Sequence, residues 1–468
     1  MGLPLDDNIL LSLVNTFLRD GGELQDFCGR YGGETEEVVS RLGALGYTYC
    51  ESANAFTARA QGGDFMESVE EKFLRYARVD TPSDEDNFAV TPSSDCQRNL
   101  ADMLCKELES MGLQAEVTPN SYVYSYIPAN CGAKTSIGFI AHLDVVGVPC
   151  GKGVKPMVHK GYSGGDIPLS TGKISPADFP ALNNFLGEDI ITSDGTTVLG
   201  ADDKAGVAEI MALAGYLVSH PEVKHGRIGI AFTPDEEIGH GAKLFDVEKF
   251  GCDFAYTVDG EELGEISYET FNGACFDLTV TGVNIHPGQA KGKMVNAVAV
   301  ANEFIGALPA GERPETTEGR EGYYFISDIA GNVEKCEVHG IIRDHDRKKF
   351  GERKNFVLGV AEELNNRYGG RVEIAMRDQY YNCAEVIEPH AHLIENAKRA
   401  MEAEGVRPLV FPIRGGTDGS SLSFMGLPCP NICTGGHNAH GLNEFISVQS
   451  MRKVVKVLAG IVSAYANS

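Results

Sequence analysis

The chain has 468 residues, 43% of them apolar and 23% charged, with a formal net charge of -26. That length fits about three soluble domains of roughly 150 residues each. The acidity excludes a nucleic-acid partner, which requires a basic face, and disfavours anionic membrane surfaces.

The first 64 residues read as a separate extension. Apolar residues from Ile9 to Leu18 recur at helical spacing, and Leu24 to Tyr31 and Thr35 to Leu45 predict two further short helices. Tyr47 to Arg59 suits a hairpin. Three helices and a hairpin resemble a winged-helix module, but the excess of acidic residues argues for protein contact over DNA. No apolar run approaches the ~20 residues of a membrane span, and the N-terminus lacks the basic start of a signal peptide. The twelve cysteines include no CxxC pair and no disulfide framework. They read as reduced thiols of a cytoplasmic enzyme.

From Phe65 the pattern changes to alternating strands and helices. Helices are predicted over Glu67 to Arg78, Gln97 to Met111 and Lys204 to Ser219. Strands are predicted over Ser136 to Ala141, Arg227 to Phe232 and Phe254 to Val258, and residues 151–190 read as loops. Such alternation implies an α/β domain, a mostly parallel sheet with helices on both faces. Residues 273–382 differ. Strand patterns at Cys275 to Thr281, Val333 to Arg343 and Val372 to Arg377 combine with helices at Met294 to Leu308 and Arg353 to Arg367 into an inserted α+β domain. The sheet domain thus comprises 65–272 and 383–468, resuming with a helix at Leu393 to Ala403, a strand at Leu409 to Ile413 and a helix from Val448 to Tyr465.

Charged clusters fall at the predicted strand ends. His142 and Asp144 alternate onto one side of a strand end, where a carboxylate can hold the second nitrogen of a metal-bound imidazole. Asp202-Asp203 stands where the helix from Lys204 begins, so either residue suits an N-cap and the pair suits a carboxylate bridging two cations. In Asp235-Glu236-Glu237, adjacent like charges repel unless a cation compensates, and one carboxylate can bind metal while its neighbour serves as general base. Asp259 ends a strand, His440 lies in a glycine-rich loop, and His286 belongs to the inserted domain. Each cluster alone also suits a solvated turn. Together they lie where α/β sheets place ligands. Imidazole with carboxylate suits Zn²⁺, with Co²⁺ or Mn²⁺ as alternatives.

The blocks Ser136–Val145, Gly200–Ile210, Ala231–Gly239, Tyr256–Gly260, Ile285–Ala297, Pro412–Gly419 and Leu427–Phe445 resemble the peptidase T family. These are tripeptide aminopeptidases among the dinuclear zinc exopeptidases that include carboxypeptidase G. The likeness runs from about Phe65 to the C-terminus. It implies that His142, Asp202 and Asp259 hold one zinc and that Asp202, Glu237 and His440 hold the second. It implies a cis Asp202–Asp203 peptide, Asp144 orienting His142, Glu236 as general base, and Asp203 as the helix cap behind Asp202. The inserted domain becomes a lid and dimerisation domain, with His286 reaching the other subunit of a homodimer. Asn296 and Arg343 match lid positions that touch substrate, and Arg414 sits in a motif typical of the family. Two departures stand out. Residues 1–64 have no counterpart, and His437 and Ala439 occupy loop positions where the family has aromatic residues. The implied substrate is a short peptide. A dipeptidase, a carboxypeptidase, an N-acyl amino acid deacylase and a non-catalytic scaffold are the contrasting readings.

Overall fold

The structure, a computed structural model, describes residues 10, 14, 16–18, 24–31, 35–44, 47–50, 55–58, 67–148 and 150–466. It divides into two compact units, Met1–Glu67 and Ser68–Ser468. In the first, helices Leu24–Tyr31 and Thr35–Ala44 precede strands Tyr47–Cys50 and Ala55–Ala58, which pair antiparallel. Residues 10, 14 and 16–18 are helical; the rest of the helix expected over 9–18 lies outside the described residues. Leu10, Val14, Leu18, Leu24, Phe27, Val38 and Leu42 form this unit's own core.

The second unit is built on an eight-stranded sheet. Its strands run in the order Leu409–Val410, Glu265–Ser267, Asn431–Cys433, Phe254–Gly260, Ile137–His142, Ile228–Thr233, Val123–Ile127 and Gln114–Val117. The four strands from Asn431–Cys433 to Ile228–Thr233 are mutually parallel, Val123–Ile127 runs against them, and Gln114–Val117 pairs antiparallel with Val123–Ile127. Side-chain alternation divides the apolar residues between two faces. Phe139, Ile230 and Tyr256 join the large core under helices Val69–Ala77, Ala201–Ser219, His392–Ala403 and Val448–Ala464. Ile140, Ala231 and Ala255 face a smaller cluster with Phe245, Phe250, Leu422 and Leu427. Gly138 is required on that second face, because any Cβ there would enter the Phe250 ring. The fold class is therefore the expected one, α/β with a parallel-rich sheet and helices on both faces.

Residues 151–190, expected as loops, contribute short strands that the sequence does not announce, among them a small hairpin of Ile167–Pro168 and Lys173–Ile174. Met157–His159 and Ile190–Thr192 join Phe445–Ser447 and Gly436–His437 in a second, four-stranded sheet. Strands of two or three residues carry too few positions to show a period. This sheet pins the loop that bears His440. The α+β region has its own four-stranded antiparallel sheet, ordered Tyr323–Gly331, Lys335–Asp344, Asn272–Thr281 and Val372–Tyr380, backed by helices Ala297–Ala307 and Arg347–Arg367. Tyr323–Gly331 was not expected as a strand. It is an edge, mostly exposed and without clean alternation.

One buried group is at odds with its surroundings. Glu209, inside helix Ala201–Ser219, is fully buried and neither carboxyl oxygen has a hydrogen-bond partner. Burial holds its pKa well above the usual carboxylate range. In the unfolded chain it ionises near ~4.3, so the stability tied to its neutral form is lost as pH rises from there toward the raised folded value. An unsatisfied buried polar group costs about 1–3 kcal/mol. Glu209→Met is therefore expected to raise Tm, by a margin that grows as pH rises above about 5. A lower Tm for the variant across that range would contradict the account.

Candidate metal centre

The parallel strands deliver three of the expected groups directly. His142 is the last residue of Ile137–His142, Asp259 lies near the end of Phe254–Gly260, and Glu236 and Glu237 follow Ile228–Thr233. His440 follows Asn431–Cys433 after a tight loop. Asp202 arrives differently. The apolar run Thr197 to Leu199 is not a strand, and Asp202 stands with non-helical backbone at the head of helix Ala201–Ser219. Its peptide bond to Asp203 is cis.

These side chains converge around the Asp202 carboxylate. Its Oδ1 lies 2.9 Å from His142 Nε2, and its Oδ2 lies 3.2 Å from His440 Nε2. His142 Nε2 is also 3.4 Å from Asp259 Oδ1, and His440 Nε2 is 2.8 Å from Glu237 Oε2. Ligand atoms of His142, Asp202 and Glu237 lie within 4.8 Å of one another, as do those of His142, Asp203 and Asp259. Asp203 is the less suited ligand of the two aspartates. Its Oδ2 accepts the His142 backbone N–H at 3.0 Å, and its Oδ1 is buried without a partner. It makes no capping bond to the helix, contrary to the expectation of a cap: its reach is taken up by the strand end that carries His142.

Asp144 does more than orient one ring. His142 Nδ1 is 3.0 Å from the Asp144 main-chain carbonyl and 3.4 Å from Asp144 Oδ1. The carbonyl therefore fixes the tautomer that leaves Nε2 free for a cation. The Asp144 carboxylate accepts the backbone N–H of Glu236 at 2.9 Å and of Glu237 at 3.2 Å, so one residue sets both strand ends.

Two supports were not foreseen. Glu444 is buried and accepts the N–H groups of Leu199 (2.6 Å), Gly200 (2.8 Å) and Asp202 (3.1 Å), holding the segment that presents Asp202. Asp235 is not a surface acid. It has φ 60 and accepts from the Ser93 N–H and hydroxyl and from Gln97 Nε2, which anchors the Glu236-Glu237 turn. Neither a lone acid such as Glu444 nor the first acid of the Asp235-Glu236-Glu237 run carries a sequence mark of burial, so neither role was legible.

The donor set fits a cation. Burial and then the charge of Asp202 push the Glu237 carboxyl up to about 7, and burial raises Asp259 to about 6 despite His142. Burial and then Asp259 hold Glu236 well above the carboxylate range, and burial lifts Asp418 to about 7. Glu237 Oε1 is buried without a hydrogen-bond partner. Crowded carboxylates whose ionisation is opposed are relieved by a divalent ion.

The remaining expected residues do not touch this cluster. His286 is exposed, and its Nδ1 accepts the Gly288 N–H. Asn296 caps helix Ala297–Ala307 by accepting from Val298 and Ala299. Arg343 is 8% exposed, donates to the carbonyls of Ala274 and Ile342, and lies over the Tyr380 ring. Arg414 donates to the carbonyls of Gly319 and Glu321 and to Thr317, holding the 317–321 loop of the α+β region.

A parallel-rich sheet bearing this cluster at its carboxyl ends, joined to an α+β lid, defines a metal-dependent hydrolase. The family model described as Peptidase family M20/M25/M40 matches residues 199–464. Peptidase T of Caldanaerobacter subterraneus subsp. tengcongensis is 50% identical over 406 residues, 86% of this chain and 99% of that protein. Peptidase T of Desulfitobacterium hafniense is 52% identical over 406 residues, again 86% and 99%. Among solved structures, aminopeptidase PepT from Bacillus cereus aligns with a TM-score of 0.68 at 23% identity over 85% of this chain and 98% of that one. A tripeptidase from Staphylococcus aureus gives 0.69 at 20% identity over 86% and 98%. The chain belongs to peptidase family M20/M25/M40 and, within it, to the peptidase T proteins. Residues 4–56 match a domain of unknown function (DUF4250), and no helix among the described residues is long and apolar enough to cross a membrane.

Proposed function

We propose that this protein is a cytoplasmic, homodimeric aminopeptidase that removes the N-terminal residue from short peptides, tripeptides above all, with two Zn²⁺ ions per subunit. The observation that carries this reading is the Asp202 carboxylate, with one oxygen toward His142 and the other toward His440. His142, Asp202 and Asp259 would hold one ion, and Asp202, Glu237 and His440 the other. When bound, the ions would polarise the scissile carbonyl and lower the pKa of the attacking water. Co²⁺ or Mn²⁺ would suit the same donors.

The chain's own residues supply the rest. Glu236, whose side chain has no hydrogen bond or ion pair among the described residues, takes a proton from the attacking water and returns it to the leaving amine. Asp144 fixes Glu236 through its backbone N–H and orients His142. His286, exposed on the lid, would steady the oxyanion in the cleft of a second copy. Asn296 and Arg343 would meet the bound peptide from the lid, and Arg414 would act through the loop it holds.

The reading is supported by about half of all aligned positions being identical to peptidase T proteins along their whole length. It is tested by comparing Ala-Ala-Ala, Ala-Ala and N-acetyl-Ala-Ala-Ala as substrates. Release of alanine from the free tripeptide, with little cleavage of the other two, is expected. Preference for Ala-Ala would indicate a dipeptidase, release of the C-terminal residue a carboxypeptidase, and loss of acetyl a deacylase.

A further inference from the structure

Beside the ligand cluster lies a small cavity of about 20 Å³, lined by Asp202, Asp259, Glu261, His437, Ala439 and Glu444 among others. His142, Glu237 and His440 do not line it, so it adjoins the cation ligands without being enclosed by them. Two of its walls are chemically unused. The Glu261 carboxylate has no hydrogen bond or ion pair among the described residues. His437 is 8% exposed, and its Nε2 has no hydrogen-bond partner.

The Glu261 backbone and the His437 ring are held in place by their surroundings. Glu261 donates its N–H to Glu265 Oε2 at 3.1 Å, and its carbonyl accepts the Gly435 N–H at 2.7 Å. The preceding Gly260 carbonyl accepts both the N–H and the hydroxyl of Thr434. This lacing fixes Glu261 two residues beyond Asp259 against the His440 loop. The His437 ring stacks on Phe445 at 5.0 Å and meets Phe185 edge-on at 5.1 Å. Such a ring cannot turn away to find another partner.

We propose that this cavity is the subsite for the substrate's N-terminal ammonium group, with the Glu261 carboxylate and His437 Nε2 as its acceptors; this rests on the aminopeptidase reading. Three properties point to that ligand. A carboxylate and an acceptor nitrogen together call for a cationic donor, and burial keeps His437 neutral, its pKa lowered to about 4. Room for roughly one group of water size admits an ammonium and excludes an acetamido group. Ala439, with its single methyl group, adds little bulk to the cavity wall. A site built to bind a charged donor rejects the analogue that lacks it, because its polar groups are left unpaired; here His437 is the buried wall and Glu261 the exposed one. That would set the preference for free amino termini.

The test measures kcat/KM on Ala-Ala-Ala and on N-acetyl-Ala-Ala-Ala, with metal content, for the wild type, Glu261→Gln and His437→Phe. Glu261→Gln is expected to lose about 10- to 100-fold on the free tripeptide, with the rate on the acetylated peptide and the metal content unchanged. His437→Phe keeps the stacking and is expected to lose about 3- to 10-fold on the free peptide. Unchanged kcat/KM in Glu261→Gln would mean that the cavity holds only a structural water, and would overturn the proposal. Equal losses on both peptides together with lost metal would overturn it too, making Glu261 a support of the cation site. Wild-type protein that leaves Ala-Ala-Ala intact would refute the aminopeptidase reading itself, whatever the variants do.

Discussion

Glu236→Ala is expected to bind its full complement of metal and to lose about 10²- to 10⁴-fold in kcat on a tripeptide, the range that a positioned general base contributes. The reason is the division of labour between two adjacent acids. Glu237 points at His440, 2.8 Å from its Nε2, and is committed to the ligand cluster. Glu236 has its backbone fixed by Asp144 at 2.9 Å while its side chain stays uncommitted. Removing that side chain leaves every proposed ligand in place. Turnover is measured alongside elemental analysis of the same preparation. A variant with normal turnover, or one that loses its metal with its activity, would remove Glu236 from the mechanism.

Asp202→Ala should have the opposite signature. Here the only carboxylate among the described residues that pairs with both imidazoles is removed. Each ion would lose a ligand at once, so metal affinity is expected to fall by more than the roughly 10- to 100-fold that loss of a supporting contact costs. The fold itself should survive, because Asp202 lies outside the hydrophobic cores and the loss of its pairs with His142 and His440 is offset by relief of the repulsion it exerts on Glu237 and Asp259. Thermal scans separate the two effects. A ligand that binds only the native state raises Tm in proportion to its occupancy. Added Zn²⁺ should raise the Tm of the wild type and leave Asp202→Ala nearly unmoved. A variant stabilised as strongly as the wild type would show that Asp202 is not the shared ligand.

Much of this site could be read before any coordinates. His142, Asp144 and Asp259 were legible because period-2 alternation in a short apolar strand says which residues emerge at its end. The inserted α+β region was legible from its change of pattern. What escaped the sequence depends on contacts between distant segments. Asp203 looks like a helix cap until the His142 strand end is seen to occupy its carboxylate. Glu444 is a lone acid until three backbone N–H groups from residues 199–202 surround it. Met157–His159 and Ile190–Thr192 are too short for periodicity, yet through Phe445–Ser447 they hold the His440 loop. Arg414 sits in a recognisable motif, but only its bonds to Gly319, Glu321 and Thr317 place it on the loop it holds.

The account rests on two cations sharing Asp202. The direct measurement is divalent metal per chain, by elemental analysis, in active wild-type protein purified without chelator and in Asp202→Ala prepared identically. Two equivalents in the wild type and almost none in the variant are expected, with wild-type activity lost on chelation and restored by Zn²⁺. Full activity with one equivalent or none, or two equivalents retained without Asp202, would contradict it.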